Sequence, residues 1–291
     1  MSSAASYIAL TKPRILPLVL FSGLPALVLA AGGWPSPALI LATLMGTAFS
    51  AAAANSLNSY LERDKDALME RTQLRPLPAG EIRPGRALLF GLTLAVLGVG
   101  LLWATVGQTP ALISVAALGI YIFVYTLWLK PRTSFAVIVG GISGAIAPLI
   151  ADAAVDGHIG IAGWLLFAII FIWQPPHFYA IALFRREDYA RAGFPMLPDS
   201  IGEDATYDRI ILWSLVLIPF TLAPYVFLDL GYFYLAAAVV LDGFFLQRAW
   251  QLRVRRDNEA ARGLFLMSLV QLLGLFAAMI VDLAARAWLG A

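Results

Sequence analysis

An all-α, polytopic membrane fold is what this 291-residue sequence predicts: one domain over residues 1–291, with about nine transmembrane helices bundled round a central cavity open to the cytoplasmic side. Three observations carry that prediction. The chain is 60% hydrophobic and 13% charged, with a mean hydropathy of +0.81. Its apolar runs reach about 20 residues, enough for a helix to cross roughly 30 Å of hydrocarbon. Every Lys and Arg except Arg286 falls on one side of the map those runs define. By the positive-inside rule that side is the cytoplasm, here of a plasma (inner) membrane.

Charge and Gly/Pro punctuation place the spans at 15–32, 37–61, 87–106, 110–129, 134–151, 160–183, 209–228, 231–247 and 264–285. The first follows Lys12 and Arg14 and resembles a secretory signal, but its length and the prolines Pro13 and Pro17 fit the entrance of a membrane helix better. The breaks at 32–37, 107–110, 152–159 and 229–231 are short and carry no Lys or Arg, whereas the others are basic. An odd number of spans then leaves the N-terminus cytoplasmic and the C-terminus outside. Without Cys the chain has no disulfide, no thiolate metal site and no Cys nucleophile.

Two cytoplasmic breaks, 62–86 and 184–208, are far longer than the outer ones, and long loops in compact proteins are usually functional or disordered. Leading into the first, Asn58, Glu62 and Asp66 stand four residues apart, so a helix would present their oxygens along one face. Mg²⁺ suits such a row, because it takes one or two carboxylates and completes its octahedron with water and phosphate oxygens. Arg71 and Arg75 follow at a distance suited to donating to the same phosphates. The plainer alternative is a solvated loop whose charges pair at i,i+4. Against it stands the cost of holding carboxylates at a membrane interface.

The second break is approached through Trp173-Gln174-Pro175-Pro176-His177-Phe178-Tyr179. A proline pair is expected to break span six and free carbonyls that only protein or a wet cavity can satisfy. His177 is then either a packing or capping residue or a proton-transfer group, while His158 sits in an outer break and is taken as surface. Glu187 and Asp188 could hold a second cation or orient Arg185. The small residues Gly140, Gly141, Ser143 and Gly144 suit close helix packing or, alternatively, leave room for a flat ring.

Several segments together resemble a known family: Thr11-Lys12-Pro13-Arg14, Asn58 through Pro78, Lys130-Pro131-Arg132-Thr133 with Gly140 to Gly144, and Trp173 through Pro198. They look like the protoheme IX farnesyltransferase (heme O synthase) family within the UbiA-type intramembrane prenyltransferases. The likeness runs in order from about residue 11 to 210. The Asn-x-x-x-Asp-x-x-x-Asp row is general to that superfamily. The heme branch is marked by Asp64 to Pro76 and by Pro176-His177-x-Tyr179-Ala180-x-Ala182 with Tyr189 and Pro195 to Pro198. Glu62 departs from the usual Asp, and Ala151-Asp152 stands where a Gly-aromatic pair is common.

The resemblance implies Mg²⁺-dependent transfer of a farnesyl group from farnesyl diphosphate to a vinyl group of heme b, giving heme O. It implies a metal on Asn58, Glu62 and Asp66, with Asp66 catalytic in that sense. Arg71, Arg75, Lys130, Arg185 and Arg186 are the implied diphosphate ligands, and His177 or Asp188 the base for water capture. The implied partners are farnesyl diphosphate, heme b, membrane lipid and a heme A-forming enzyme, with no nucleic acid. A UbiA-type enzyme acting on an aromatic or quinone precursor is the alternative. A membrane transporter fits less well, because mid-span charges are nearly absent apart from Asp242 and Asp282.

Overall fold

The computed structural model describes residues 4–14 and 16–289, which form helices and turns with no strand. Ile15, the expected start of the first span, and both chain ends, whose sidedness was expected, lie outside the described residues. A short helix α1 (Ala4–Leu10) precedes α2 (Leu16–Ala30), α3 (Pro37–Leu61) and a single turn, α4 (Arg63–Asp66). Next come α5 (Pro84–Thr105) and α6 (Gln108–Gly119), which runs on as a π-helical segment, Ile120–Leu129. The order then continues α7 (Ala136–Gly144), α8 (Ala147–Asp156), α9 (Ile161–Phe184), α10 (Arg186–Arg191) and α11 (Leu197–Ile201). Three long helices close the chain: α12 (Glu203–Phe227), α13 (Tyr232–Arg255) and α14 (Asn258–Leu289).

Among the described residues seven helical stretches are long and apolar enough to cross a membrane, against the nine expected. The shortfall has two causes. Leu16–Ala30 is apolar but short, and α13 is diluted by Asp242, Gln247, Arg248 and Gln251. Both nevertheless pack within the same bundle, α2 against α8 and α3, α13 between α12 and α14. Leu89, Val96, Trp103, Phe123, Val240 and Phe244 are each half exposed or more. Such a coat of large apolar side chains suits lipid, because a soluble surface would not tolerate it.

The helix ends follow from local chemistry. Ser36 accepts the Leu39 N–H at 3.3 Å and Pro37 begins α3 where its missing N–H costs nothing. α3 and α5 then approach closely because Gly98 has no side chain: a Cβ there would lie 2.5 Å from Ser50 Oγ. Span five extends to Asp156 rather than stopping at 151. Asp152 is buried inside it, with Oδ1 accepting the Gly160 N–H at 3.0 Å and Oδ2 accepting the Gly163 N–H, so it satisfies the free amides at the start of α9.

Pro175 and Pro176 do not break span six, since α9 runs unbroken from Ile161 to Phe184. The helix is held on several sides by α7, α8, α12 and α14, and that packing outweighs the lost backbone bonds. The main core lies here and in the C-terminal helices, with Leu166, Ile169, Tyr234, Phe245 and Phe276 essentially inaccessible. Within it Asp242 accepts hydrogen bonds from Thr221 Oγ1 at 2.5 Å and Gln271 Nε2 at 2.6 Å.

Both long basic loops are folded. Thr72, buried in the first, donates to the Asp66 carbonyl at 2.7 Å, and the second is built from α10 and α11. Met69 from the first packs with Ala192 and Phe194 from the second, so the two loops meet as one lid over the same end of the bundle.

Candidate active site

The backbone spiral of α3 continues past its last residue: the Glu62 N–H donates to the Asn58 carbonyl at 2.9 Å and the Asp66 N–H to the Glu62 carbonyl at 2.8 Å. The four-residue spacing therefore acts as helical spacing, and Asn58, Glu62 and Asp66 are all buried on one side. Each meets a different cation. Lys12 Nζ donates to Asn58 Oδ1 at 2.8 Å, Lys130 Nζ reaches both oxygens of Glu62 at 2.6 and 2.7 Å, and Arg75 Nη1 donates to Asp66 Oδ2 at 2.8 Å. Asp66 Oδ1 is buried with no hydrogen-bond partner among the described residues, a costly state for a carboxylate oxygen.

Two backbone irregularities deliver these cations. Lys12 holds φ at 52°, the left-handed region that side chains other than glycine rarely adopt. The π-helical segment bonds i to i+5, as in Lys130 N–H to the Tyr125 carbonyl at 2.8 Å, which brings Tyr125 and Lys130 onto one face. Thr126 in the same segment lies 3.3 Å from Asn58 Nδ2 and fixes the asparagine's amide. Burial, then the neighbouring Arg75 guanidinium, pull the Lys12 pKa down to about 7. Three basic groups crowd against two carboxylates and an amide, so an incoming polyanion would relieve their mutual repulsion.

Below this cluster lies a largely apolar cavity of about 300 Å³, with Lys12 and Asn55 at its mouth and Tyr121, Tyr125 and Phe178 on its walls. Above it the lid closes: Phe194 places its ring 4.2 Å from Lys65 Nζ and 4.6 Å from Lys130 Nζ. Asp188, held buried in the lid, accepts the Glu70 N–H at 3.1 Å and a bond from Arg191. Burial opposes its ionisation, yet the Arg191 and Glu70 bonds prevail and keep its pKa below the ordinary value.

The profile of the UbiA prenyltransferase family matches residues 19–276. The chain belongs to the UbiA prenyltransferase family. Protoheme IX farnesyltransferase of Gloeobacter violaceus is 43% identical over 277 residues, covering 95% of this chain and 91% of that one. Two solved structures share the UbiA fold. One, of digeranylgeranylglyceryl phosphate synthase, superposes with a TM-score of 0.80 at 18% identity over 97% of this chain and 99% of that one. The other, a UbiA homologue from Archaeoglobus fulgidus bound to DMAPP and Mg²⁺, gives 0.68 at 20% identity over 95% and 99%.

In this UbiA chain the expected site residues divide into two groups. Asn58, Glu62, Asp66, Arg75 and Lys130 converge, as described. Arg71 is exposed, 6.0 Å over the Tyr189 ring, with no carboxylate partner among the described residues. Arg185 lies 3.8 Å from Asp188, and Arg186 is turned to Asp199 and Glu203 at 2.6 and 2.8 Å. His177 does not line the cavity. Its Nδ1 sits 2.6 Å from Ser268 Oγ on α14 and its ring stacks on Trp173, while the neighbouring Phe178, edge-on to it at 5.2 Å, lines the cavity. The small residues of α7 serve both expected roles: a Cβ at Gly140 would lie 2.6 Å from the Tyr125 ring and one at Gly144 2.9 Å from Gln174 Oε1, and Gly140, Ser143 and Gly144 also line the cavity. Lys12 is the site residue that spacing alone misses, and its only sequence signal was its place in the Thr11 to Arg14 segment.

A divalent cation fits the donor set. Among the described residues no three His, Cys, Asp or Glu side chains gather as a self-sufficient metal site. Asp66 Oδ1 is unpartnered among the described residues, and with Glu62 and Asn58 released from Lys130 and Lys12 it would supply only part of a hard-oxygen shell, the remaining oxygens being those of water and substrate, as Mg²⁺ prefers.

Proposed function

We propose that this protein transfers the farnesyl group of farnesyl diphosphate to a vinyl carbon of heme b, giving heme O, with the diphosphate bound at the cytoplasmic face of the inner membrane. The observation that carries this reading is the meeting of Lys12, Arg75 and Lys130 with Asn58, Asp66 and Glu62 at the mouth of an apolar cavity. The 43% identity to a protoheme IX farnesyltransferase over nearly the whole chain supports heme b as acceptor.

Asn58, Glu62 and Asp66 would hold Mg²⁺, which when bound supplies charge neutralisation for a leaving diphosphate. Lys12, Arg75 and Lys130 turn from their carboxylate and amide partners to the diphosphate oxygens, and Arg71 and Arg185 approach from the lid. Their charge is placed where negative charge grows as the C–O bond breaks, so most of the acceleration is electrostatic. The allylic cation forms in a cavity walled by Tyr121, Tyr125 and Phe178, where the lid and the apolar lining keep water from capturing it first. The porphyrin vinyl carbon attacks, and water adds to the resulting cation and loses a proton to give the hydroxyfarnesylethyl group.

The purified protein with Mg²⁺ and farnesyl diphosphate, offered heme b or 4-hydroxybenzoate, should prenylate heme b alone. Product from 4-hydroxybenzoate and none from heme b would move the protein to the quinone-precursor branch.

A further inference from the structure

Building on the farnesyl reading above, we propose that a packed layer beneath the cavity, Ile150 backed by Leu102 and Ala111, sets the length of the prenyl chain the protein accepts and stops it at three isoprene units. On α3 the cavity lining runs from Asn55 to Thr47 and no further, and Ser114 of α6 and Ile146 and Ile150 of α8 line it too. Ile150 lines the cavity and also packs in a tight cluster with Leu102 of α5 and Ala111 of α6, both at 0% exposure. The next turn of α3 is sealed as well, since Thr43 is buried and a Cβ at Gly46 would strike Leu102 at 2.6 Å. Ser50 and Ser114 hydrogen-bond across the cavity floor at 2.8 Å and pin α3 to α6 there.

The reach from the polar cluster matches one chain length. Asn58, whose Oδ1 accepts from the cavity-lining Lys12, and Thr47, the lining residue of α3 farthest from it, are eleven positions apart, about 16 Å at 1.5 Å per residue. An isoprene unit spans roughly 5 Å, with carbon–carbon bonds of ~1.5 Å, so three fill the depth and a fourth meets Ile150. A fourth unit has to displace packed side chains, whereas a two-unit chain leaves the lower cavity empty and loses its contacts. Truncating Ile150 removes the stop and opens the space toward Leu102.

The test measures binding without acceptor. Purified protein with Mg²⁺ is loaded with labelled farnesyl diphosphate and challenged with geranyl, farnesyl or geranylgeranyl diphosphate. Wild-type protein should prefer the farnesyl compound to the geranylgeranyl one by about tenfold or more, the scale on which a hydrophobic pocket discriminates. Ile150→Ala should cut that preference at least fivefold, and Ile150→Phe should shift it toward geranyl diphosphate. Ile150→Val and Leu102→Val, milder truncations, should cut it about twofold if the alanine protein does not accumulate. A wild-type protein that binds the two longer chains equally, or truncated variants that keep the wild-type ratio, would overturn the proposal. Because no porphyrin is present, failure to alkylate heme b would count against the proposed function and leave this result standing.

Discussion

Lys130 Nζ rests between the two carboxylate oxygens of Glu62, 2.6 and 2.7 Å away, across 68 residues of sequence. A lysine thus holds the carboxylate that is proposed to share in binding a metal, and Lys12 and Arg75 do the same for Asn58 and Asp66. Both buried carboxylates are thus paired, as buried charges need to be, and three cations against two carboxylates and an amide leave an excess of positive charge to receive a polyanion.

Asp66→Asn should lower heme O formation by about a hundredfold or more, the usual cost of losing one group that stabilises a leaving anion. Folding should survive, because Asn keeps the shape and its amide oxygen can still accept from Arg75 Nη1 where Asp66 Oδ2 does. Heme O extracted from membranes and quantified by mass spectrometry, with detergent melting as the control, measures both. Wild-type turnover in the variant would remove Asp66 from the metal site.

Lys12→Met should weaken farnesyl diphosphate binding by about tenfold, while stability holds, because Met fills the same half-buried space and removes a cation that Arg75 and Lys130 repel. Isothermal titration with Mg²⁺ present reads the affinity. Unchanged affinity would make Lys12 only a partner of Asn58.

Gly140→Ala pushes a methyl group into the Tyr125 ring. The strain should cost about 1–3 kcal/mol and lower the melting temperature in detergent. Because Tyr125 walls the cavity and shares a face with Lys130, transfer should fall with it. An undisturbed melting point would mean that the α7 stripe has spare room, as a macrocycle site would require.

Asp188→Ala removes the acceptor that ties the Glu70 amide to α10 and leaves Arg191 unpaired. The lid should loosen, with faster tryptic cleavage at the exposed Arg71 and a raised KM for farnesyl diphosphate. Cleavage at the wild-type rate would show that Met69, Ala192 and Phe194 hold the lid unaided.

His177→Phe keeps the ring packed on Trp173 and Phe265 but deletes the bond to Ser268. A role in joining α9 to α14 predicts about 1 kcal/mol of lost stability and transfer within threefold of wild type. A hundredfold loss of kcat with farnesyl diphosphate affinity intact would make His177 the proton acceptor instead.

The helices were legible because hydrocarbon imposes long apolar runs, and the row Asn58, Glu62, Asp66 was legible because one helical repeat relates its members. What sequence periodicity misses comes from tertiary packing. Lys12 reaches Asn58 over 46 residues through a left-handed backbone. The π-helical register that aligns Tyr125 with Lys130 leaves no hydropathy signal. Pro175 and Pro176 sit inside an intact helix because neighbours clamp it, and Arg186 turns to Asp199 and Glu203, partners that appear only once α11 and α12 fold back. The count of nine crossings assumed that every apolar stretch spans, whereas α2 is short and α13 is diluted by polar residues.

Electron paramagnetic resonance of Mn²⁺, standing in for Mg²⁺ at a hard-oxygen site, tests the central claim most directly. With farnesyl diphosphate present, wild-type protein should bind one Mn²⁺ whose signal is broadened by phosphorus coupling, and Asp66→Asn should lose it. The same phosphorus-coupled, protein-bound signal in Asp66→Asn and in Glu62→Gln would contradict the claim that this row of oxygens holds the metal and the diphosphate together.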